Sequence, residues 1–224
     1  MRKKNTKKPK DAFLDDRIAS YDEWLRKDLI EVSSKVVPVH ESLKAEQWVL
    51  PTEQAVEILR ESTSFALTEC LCRSHYQRCK NPLDVCLMLN DAADKYVQEG
   101  RAKHISIEEA KAVLSQANAR GLVHLTLYEP DHKIYALCSC CSCCCHDLQL
   151  LKSYGRKDLI ARSEYIARTD PAKCKDCGQC IERCVFEART WDGDRLKCSS
   201  GKCYGCGLCV TSCPADAIVL ERKQ

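Results

Sequence analysis

The sequence predicts an α+β chain: a mostly helical N-terminal domain that carries a small β-hairpin, then a smaller C-terminal domain built from two similar halves. Three observations predict it. Apolar residues recur at helical spacing in several segments before residue 121. The stretch 122–137 alternates and turns back on itself. A cysteine run beginning at Cys174 repeats 29 residues later at Cys203. The implied division is a basic arm at 1–10, a helical cysteine-rich domain at 11–150, a connecting helix at 151–162 and the duplicated domain at 163–224.

In chain order, Arg2, Lys3, Lys4, Lys7, Lys8 and Lys10 crowd the arm. Such a run reads as a solvated end before it reads as a dock for an acidic partner. Residues 11–34 place Phe13, Leu14, Ile18, Tyr21, Leu25 and Leu29 near helical spacing. Pro51-Thr52-Glu53 opens a second helix, with Thr52 as its cap and Ala55, Val56, Ile58 and Leu59 as its apolar side. Asp91 to Gln98 is a short helix that ends at Gly100. Ser106 and Glu109 form a capping box, and the helix they open runs through Ala110, Val113, Leu114 and Ala117 to Gly121. Leu122 to Tyr128 is a strand, Pro130-Asp131-His132 a turn, and Lys133 to Leu137 the return strand. A helix followed by a hairpin resembles a winged-helix element. The polar, periodic stretch 147–163 supplies the connecting helix.

Composition bounds the function. The chain has 224 residues, 30% of them charged, and its 45% apolar share includes 19 cysteines. Cores are therefore modest, and metal sites absent from the unfolded chain would add folding energy. A net charge of +3 does not mark a nucleic-acid binder. No apolar run follows the basic start and none is long enough to span a bilayer, so neither export nor membrane insertion is expected. A cytoplasmic location follows, where thiols stay reduced and clustered cysteines read as metal ligands before disulfides. Oxygen-sensitive centres would suit an anaerobic host. Dinucleotide and phosphate-loop motifs are absent. His124 lies in a strand and reads as packed or solvent-facing. Trp24, Trp48 and Trp191 are too scattered for a base-stacking platform and read as core or interface residues.

The duplicated run is the most specific signal. Cys174, Cys177, Cys180 and Cys184 are spaced by two, two and three residues; Cys203, Cys206, Cys209 and Cys213 repeat the spacing, followed by Pro214. Three cysteines at two-residue intervals wrap a loop around a cube of iron and sulfide, each thiolate reaching a different iron. Gly178 and Gly207 follow the second cysteine, where a small residue lets the backbone approach. The fourth cysteine of each run ligates the other cluster. One set is then Cys174, Cys177, Cys180 and Cys213, the other Cys203, Cys206, Cys209 and Cys184. Val185 follows Cys184 where Pro214 follows Cys213, a difference that concerns the local turn. Cys198 fits neither run. Lys173, Lys175, Arg183, Arg189, Lys197 and Lys202 surround these cysteines and would offset the charge of cluster and thiolates.

These residues, about 163–222, closely resemble bacterial-type two-cluster ferredoxins. The resemblance implies two [4Fe-4S] clusters inside two short two-stranded sheets and two helical turns.

Two further blocks hold ten cysteines: Cys70, Cys72, Cys79 and Cys86, then Cys138, Cys140, Cys141, Cys143, Cys144 and Cys145. Six cysteines in eight residues are not a core feature, and free thiols so dense would oxidise. A metal centre explains them. The first block could hold one cubane and the second another. Alternatively both converge on one site, a larger or noncubane cluster; this is the favoured reading, because adjacent cysteines diverge and cannot all face one cube. The third alternative is a zinc site with spare thiols. His75, His146 and Arg73 are candidate hydrogen-bond donors beside it. The Cys-x-Cys-Arg stretch at Cys70, Gly121 to His124, the Cys138–Cys145 run and the C-terminal module together resemble 4Fe-4S binding proteins of anaerobes over about 60–222. That implies an additional Fe–S centre and a redox role.

The expected function is low-potential electron transfer between the C-terminal clusters and an N-terminal Fe–S centre, with a soluble redox protein as partner, in an oxidoreductase complex or alone. The alternatives are a redox enzyme or activating subunit whose N-terminal cluster meets a small molecule, and a redox-sensing winged-helix protein.

Overall fold

The computed structural model describes residues 11–38, 54–130 and 133–223. The basic arm, Trp48, Thr52 and the Asp131-His132 turn lie outside them.

Helix α1 (Ala12–Arg26) starts where the Asp11 side chain accepts from the Leu14 N–H at 3.2 Å, and it buries Leu14 and Tyr21. It is shorter than the 11–34 expected. Asp28 takes a positive φ of 52°, and the Leu29 N–H reaches back to the Trp24 carbonyl at 2.9 Å. That bond pattern closes the helix with a left-handed residue. The chain then enters strand β1 (Ser34–Val37), where Val36 and Val37 are buried.

Helix α2 (Gln54–Glu61) leads to β2 (Phe65–Glu69), α3 (Leu71–Tyr76), β3 (Asp84–Leu89), α4 (Asp91–Gln98), β4 (Ala102–His104) and α5 (Ile107–Ala119). The Ser106–Glu109 capping box forms in both directions. The hairpin β5 (Val123–Tyr128) and β6 (Ile134–Cys140) follows, then α6 (His146–Tyr154) and β7 (Ile160–Ala161).

The N-terminal half is not mostly helical with a small hairpin. The hairpin is the middle of a seven-stranded sheet of order β4-β2-β3-β6-β5-β1-β7, antiparallel except for the β1–β7 pair. Strands β2 and β3 are short apolar runs whose type periodicity alone does not separate from a buried helix. The helix expected at 151–162 begins earlier: α6 starts at His146, ends at Tyr154 with Gly155 as its cap, and buries Leu148, Leu150 and Leu151.

Side chains alternate across the sheet. Leu87, Leu89 and Leu137 pack under α2 and α5 with Leu59 and Leu114. Met88 and Ala136 pack on the opposite face with Ala93 of α4.

The C-terminal part has the expected form: β8 (Tyr165–Thr169) pairs with β11 (Ile218–Arg222), β9 (Arg189–Asp192) with β10 (Arg195–Cys198), and two short helices, α7 (Gln179–Glu182) and α8 (Leu208–Thr211), lie between. It is fused to the N-terminal half by one core. Phe186 stacks on Tyr204 with centroids 4.4 Å apart, and both pack with Leu148, Leu150, Leu159 and Leu208. Arg183 crosses to the C-terminal end of α5, donating to the carbonyls of Asn118 and Ala119, where a cation also meets the negative end of the helix dipole.

Candidate metal centres

The repeated runs build two small cavities. One is lined by Cys174, Cys177, Cys180 and Cys213. The other is lined by Cys203, Cys206, Cys209 and Cys184. Each fourth cysteine thus lies apart from its own run and lines the cavity of the other. The cause is local. Gly178 and Gly207 hold positive φ values of 78° and 81° and turn the chain into α7 and α8, which carry the third cysteines Cys180 and Cys209. At Gly178 a Cβ would also meet the Trp191 ring at 2.8 Å. Trp191 is therefore not a core residue; it is 51% exposed and lies over this turn.

The donor set fits sulfur-rich anionic groups. The Ala188 N–H donates to Cys184 Sγ at 3.3 Å, and the Ala217 N–H donates to Cys213 Sγ at the same distance, one bond in each half of the repeat. Arg189 is only 3% exposed. Its Nη1 donates to Thr169 Oγ1 at 2.8 Å and lies 3.9 Å from Cys180 Sγ, while its charge also acts on Cys209. Its Nη2 is buried with no nitrogen or oxygen acceptor among the described residues. A buried guanidinium shared by both cysteine sets, with a donor unused, suits negative groups in both cavities. Lys173, Lys175, Lys197 and Lys202 are exposed; Cys198 is exposed too, yet it borders the second cavity beside its four cysteines.

The ten N-terminal cysteines divide neither by block nor into one site. Cys79, Cys141, Cys143 and Cys144 form one group, their sulfurs all within 4.8 Å of one another. Cys70, Cys72, Cys86, Cys138, Cys140 and Cys145 line a separate cavity of about 510 Å³ that Cys141 also borders. Within this second group each thiol acts electrostatically on the next in a chain: Cys138 on Cys86, Cys86 on Cys70, Cys70 on Cys72, Cys72 on Cys145, Cys145 on Cys140. Each group draws on both blocks.

The sheet explains the division. Cys86 and Cys138 are directly paired across β3 and β6, and Cys140 lies two residues on, so the three share a face, the one that carries Met88 and α4. Cys70 caps α3, and Cys72 lies in its first turn. Past β6 the chain turns, with the Cys145 N–H bonded to the Cys141 carbonyl at 3.0 Å. Cys141 and Cys144 go to the α5 side, with Val85, Ala117 and Leu122, while Cys140 and Cys145 stay with the other group. Neighbouring cysteines do diverge, into two sites.

Arg73 lies between the groups and is the largest fully buried side chain, 1% exposed. It donates to the carbonyls of Pro82 and, at 2.6 Å, Ser139, and its charge acts on Cys70, Cys141 and Cys86. Cys72 and Cys86 beside it pull the Cys70 thiol down from its ordinary range. His146 is buried, its Nδ1 2.9 Å from Cys72 Sγ and its Nε2 3.3 Å from the Tyr21 hydroxyl. Burial lowers its pKa, so the ring is neutral and joins Tyr21 to the sulfur through its two nitrogens. His75 is instead exposed and stacked on Phe13. His124 is buried and bonds Ser139 Oγ at 3.1 Å, a packing role.

Tyr21 and Arg17 at the second group were not foreseen, since α1 precedes every cysteine in sequence. Arg189 was seen only as one of several basic residues; its place in β9, five residues after Cys184, is the one hint.

Residues 199–219 match the family of 4Fe-4S binding domains. The second run is therefore part of a ferredoxin-type iron–sulfur module, and the chain supports at least one [4Fe-4S] cluster. No curated protein matches the chain.

Proposed function

We propose that this protein is a low-potential electron carrier that relays single electrons between two C-terminal [4Fe-4S] clusters and a further iron–sulfur centre among the six cysteines around Cys70. The observation that supports it most is that one C-terminal set reaches the surface while the other adjoins the core shared with the N-terminal half. Cys177 is exposed, with Cys174 and Cys213 half-buried beside it. Cys203, Cys206 and Cys209 are buried. Cys206 joins the core that also holds Cys140 and Cys145. The order surface, interior, N-terminal half is the order a relay needs.

Iron–sulfur clusters supply one-electron chemistry at potentials that cluster type, charge and hydrogen bonds set between about −700 and +450 mV. Cys174, Cys177, Cys180 and Cys213 would hold the outer cluster and Cys184, Cys203, Cys206 and Cys209 the inner one. The chain's own work is to exclude water with Phe186, Tyr204 and Leu208, to donate N–H groups from Ala188 and Ala217 to sulfur, and to place Arg189 where both sites feel its charge. The exposed edge at Cys177, with Lys173 and Lys175, suits a soluble, acidic redox partner in the cytoplasm. A redox titration of anaerobically purified protein, followed by electron paramagnetic resonance, tests this. Reducible centres beyond the C-terminal pair support the relay; their absence removes it.

The 510 Å³ cavity favours a second reading, a redox enzyme or activating subunit, because Arg17, Tyr135 and His146 line it together with the six sulfurs. Small ligands added to reduced protein would then change the spectrum of the N-terminal centre. An unchanged spectrum counts against it.

A further inference from the structure

We infer that Cys79, Cys141, Cys143 and Cys144 bind a single divalent metal ion, zinc or ferrous iron, as a closed tetrathiolate site, and not an iron–sulfur cube.

The argument is one of distance. The sulfur of Cys79 lies 3.8 Å from that of Cys141 and 3.9 Å from that of Cys144, and Cys144 lies 3.8 Å from Cys143. Four thiolates at a tetrahedral metal–sulfur distance of about 2.3 Å are about 3.8 Å apart. In a cubane each thiolate binds a different corner iron, so the cube itself holds the four sulfurs farther apart. Among the described residues no other three metal-ligating side chains are drawn so close. Both crossed sets in the C-terminal part are wider. The chain therefore builds two kinds of four-cysteine site.

Sequence and fold explain the tightness. Three ligands come from one turn, Cys141 to Cys144, pinned by the Cys145 N–H to Cys141 carbonyl bond. The fourth comes from the loop after α3, where Gln77 in the left-handed region turns the chain back toward Cys79. The Arg78 Nη1 donates to the Cys143 carbonyl at 3.2 Å and to Gln149 Oε1 at 2.7 Å, and Gln149 donates to the Cys144 carbonyl at 3.0 Å. These bonds fix loop and turn against each other without using a sulfur.

The surroundings suit a complex of net charge −2. Asn81 Nδ2 donates to Cys79 Sγ at 3.4 Å, and the buried Arg73 guanidinium interacts with Cys141. Such outer donors orient and stabilise metal-bound thiolates. Val85, Ala117 and Leu122 close the inner side with apolar groups. With four sulfurs and no fifth ligand grouped with them among the described residues, the site would have no open position, as in structural sites. Zinc and ferrous iron share this chemistry, and the metal content separates them.

The test uses full-length protein purified without oxygen, as wild type, Cys79→Ser and Cys143→Ser. Zinc, iron and acid-labile sulfide are measured in each. The wild type is also examined by zinc-edge X-ray absorption and by Mössbauer spectroscopy. The expected wild type holds about one metal ion per chain outside the clusters. This is either zinc with four sulfur neighbours and no metal neighbour, or a lone high-spin ferrous tetrathiolate. Either variant should lose at least about four-fifths of that ion and keep its sulfide. Loss of iron and sulfide in equal amounts, or no change in metal, overturns the site. Should both variants fail to fold, the wild-type spectra decide: neither a zinc tetrathiolate nor lone ferrous iron overturns it too.

Discussion

If both crossed sets hold the proposed clusters, replacing Arg189 by leucine should lower the reduction potential of each, because this one buried cation faces Cys180 of one set and Cys209 of the other. Reduction adds negative charge, and a nearby positive charge favours it. At the 3.9 Å separation from Cys180 Sγ, two unit charges in an effective dielectric of about 20 interact by about 4 kcal/mol. For one electron that corresponds to roughly 180 mV. This is a ceiling, since the added electron is spread beyond the sulfur. A downward shift of roughly 50–100 mV is therefore expected at each centre. Arg189→Lys, which keeps the charge but not the fork, should give less than half of it. The assay is an anaerobic potentiometric titration followed by paramagnetic resonance, with iron content confirming that both clusters are in place. A shift below roughly 20 mV at both centres, or a shift upward, would refute the reasoning, as would a shift at one centre only.

Gly205→Ala should destabilise the C-terminal module by about 3 kcal/mol or more, since φ is 70° there and a Cβ would run into the Tyr165 carbonyl and Ser163 Oγ. Gly155→Ala, with a similar φ of 71° but open space around it, should cost about 1 kcal/mol; thermal melts monitored by cluster absorbance compare the two. Cys198→Ser should leave iron content unchanged, whereas Cys206→Ser should remove about one cluster's worth; elemental analysis reads both. Tyr21→Phe removes the hydroxyl that holds His146 and should alter the spectrum of the centre near Cys72 while leaving the C-terminal clusters as they were.

What was legible from the residues follows how local each feature is. The crossed C-terminal sets could be read because the ligand geometry is written in spacings of two and three residues and repeated once. The capping box, the α4 boundaries and the β5–β6 hairpin are likewise set by residues a few positions apart. The sheet was missed because β1, β2, β3 and β7 are two to six residues long and acquire their identity from partners far away: Ser34 pairs with Leu127, Cys86 with Cys138. The N-terminal ligand sets were missed for the same reason. Blocks in sequence suggest blocks in space, but Cys86 lies on a strand and Cys79 on a loop, and β6 ends between Cys140 and Cys141. Period-two alternation then sends members of each block to opposite faces. The divergence of adjacent cysteines was legible; that it separates two sites required the pairing of β3 with β6.

The two N-terminal groups also bear on each other through Arg73. This guanidinium is held by the Pro82 and Ser139 carbonyls, and its charge acts on Cys70 and Cys86 on one side and Cys141 on the other. A closed tetrathiolate ion at Cys79 and Cys141 would pin the loop that follows α3, and with it the Pro82 carbonyl. It would thereby fix the cation that the six-cysteine cavity needs to bury its negative charge. Metal at the first site then acts as scaffold for the second without taking part in electron transfer. The consequence is directional. Loss of Cys79 should weaken retention of iron at the six-cysteine site under chelator challenge, whereas loss of Cys138, which lines the cavity on the far face of the sheet, should leave the tetrathiolate ion in place. Equal and mutual loss would mean that the two groups form one centre and that the division by sheet face has no chemical meaning.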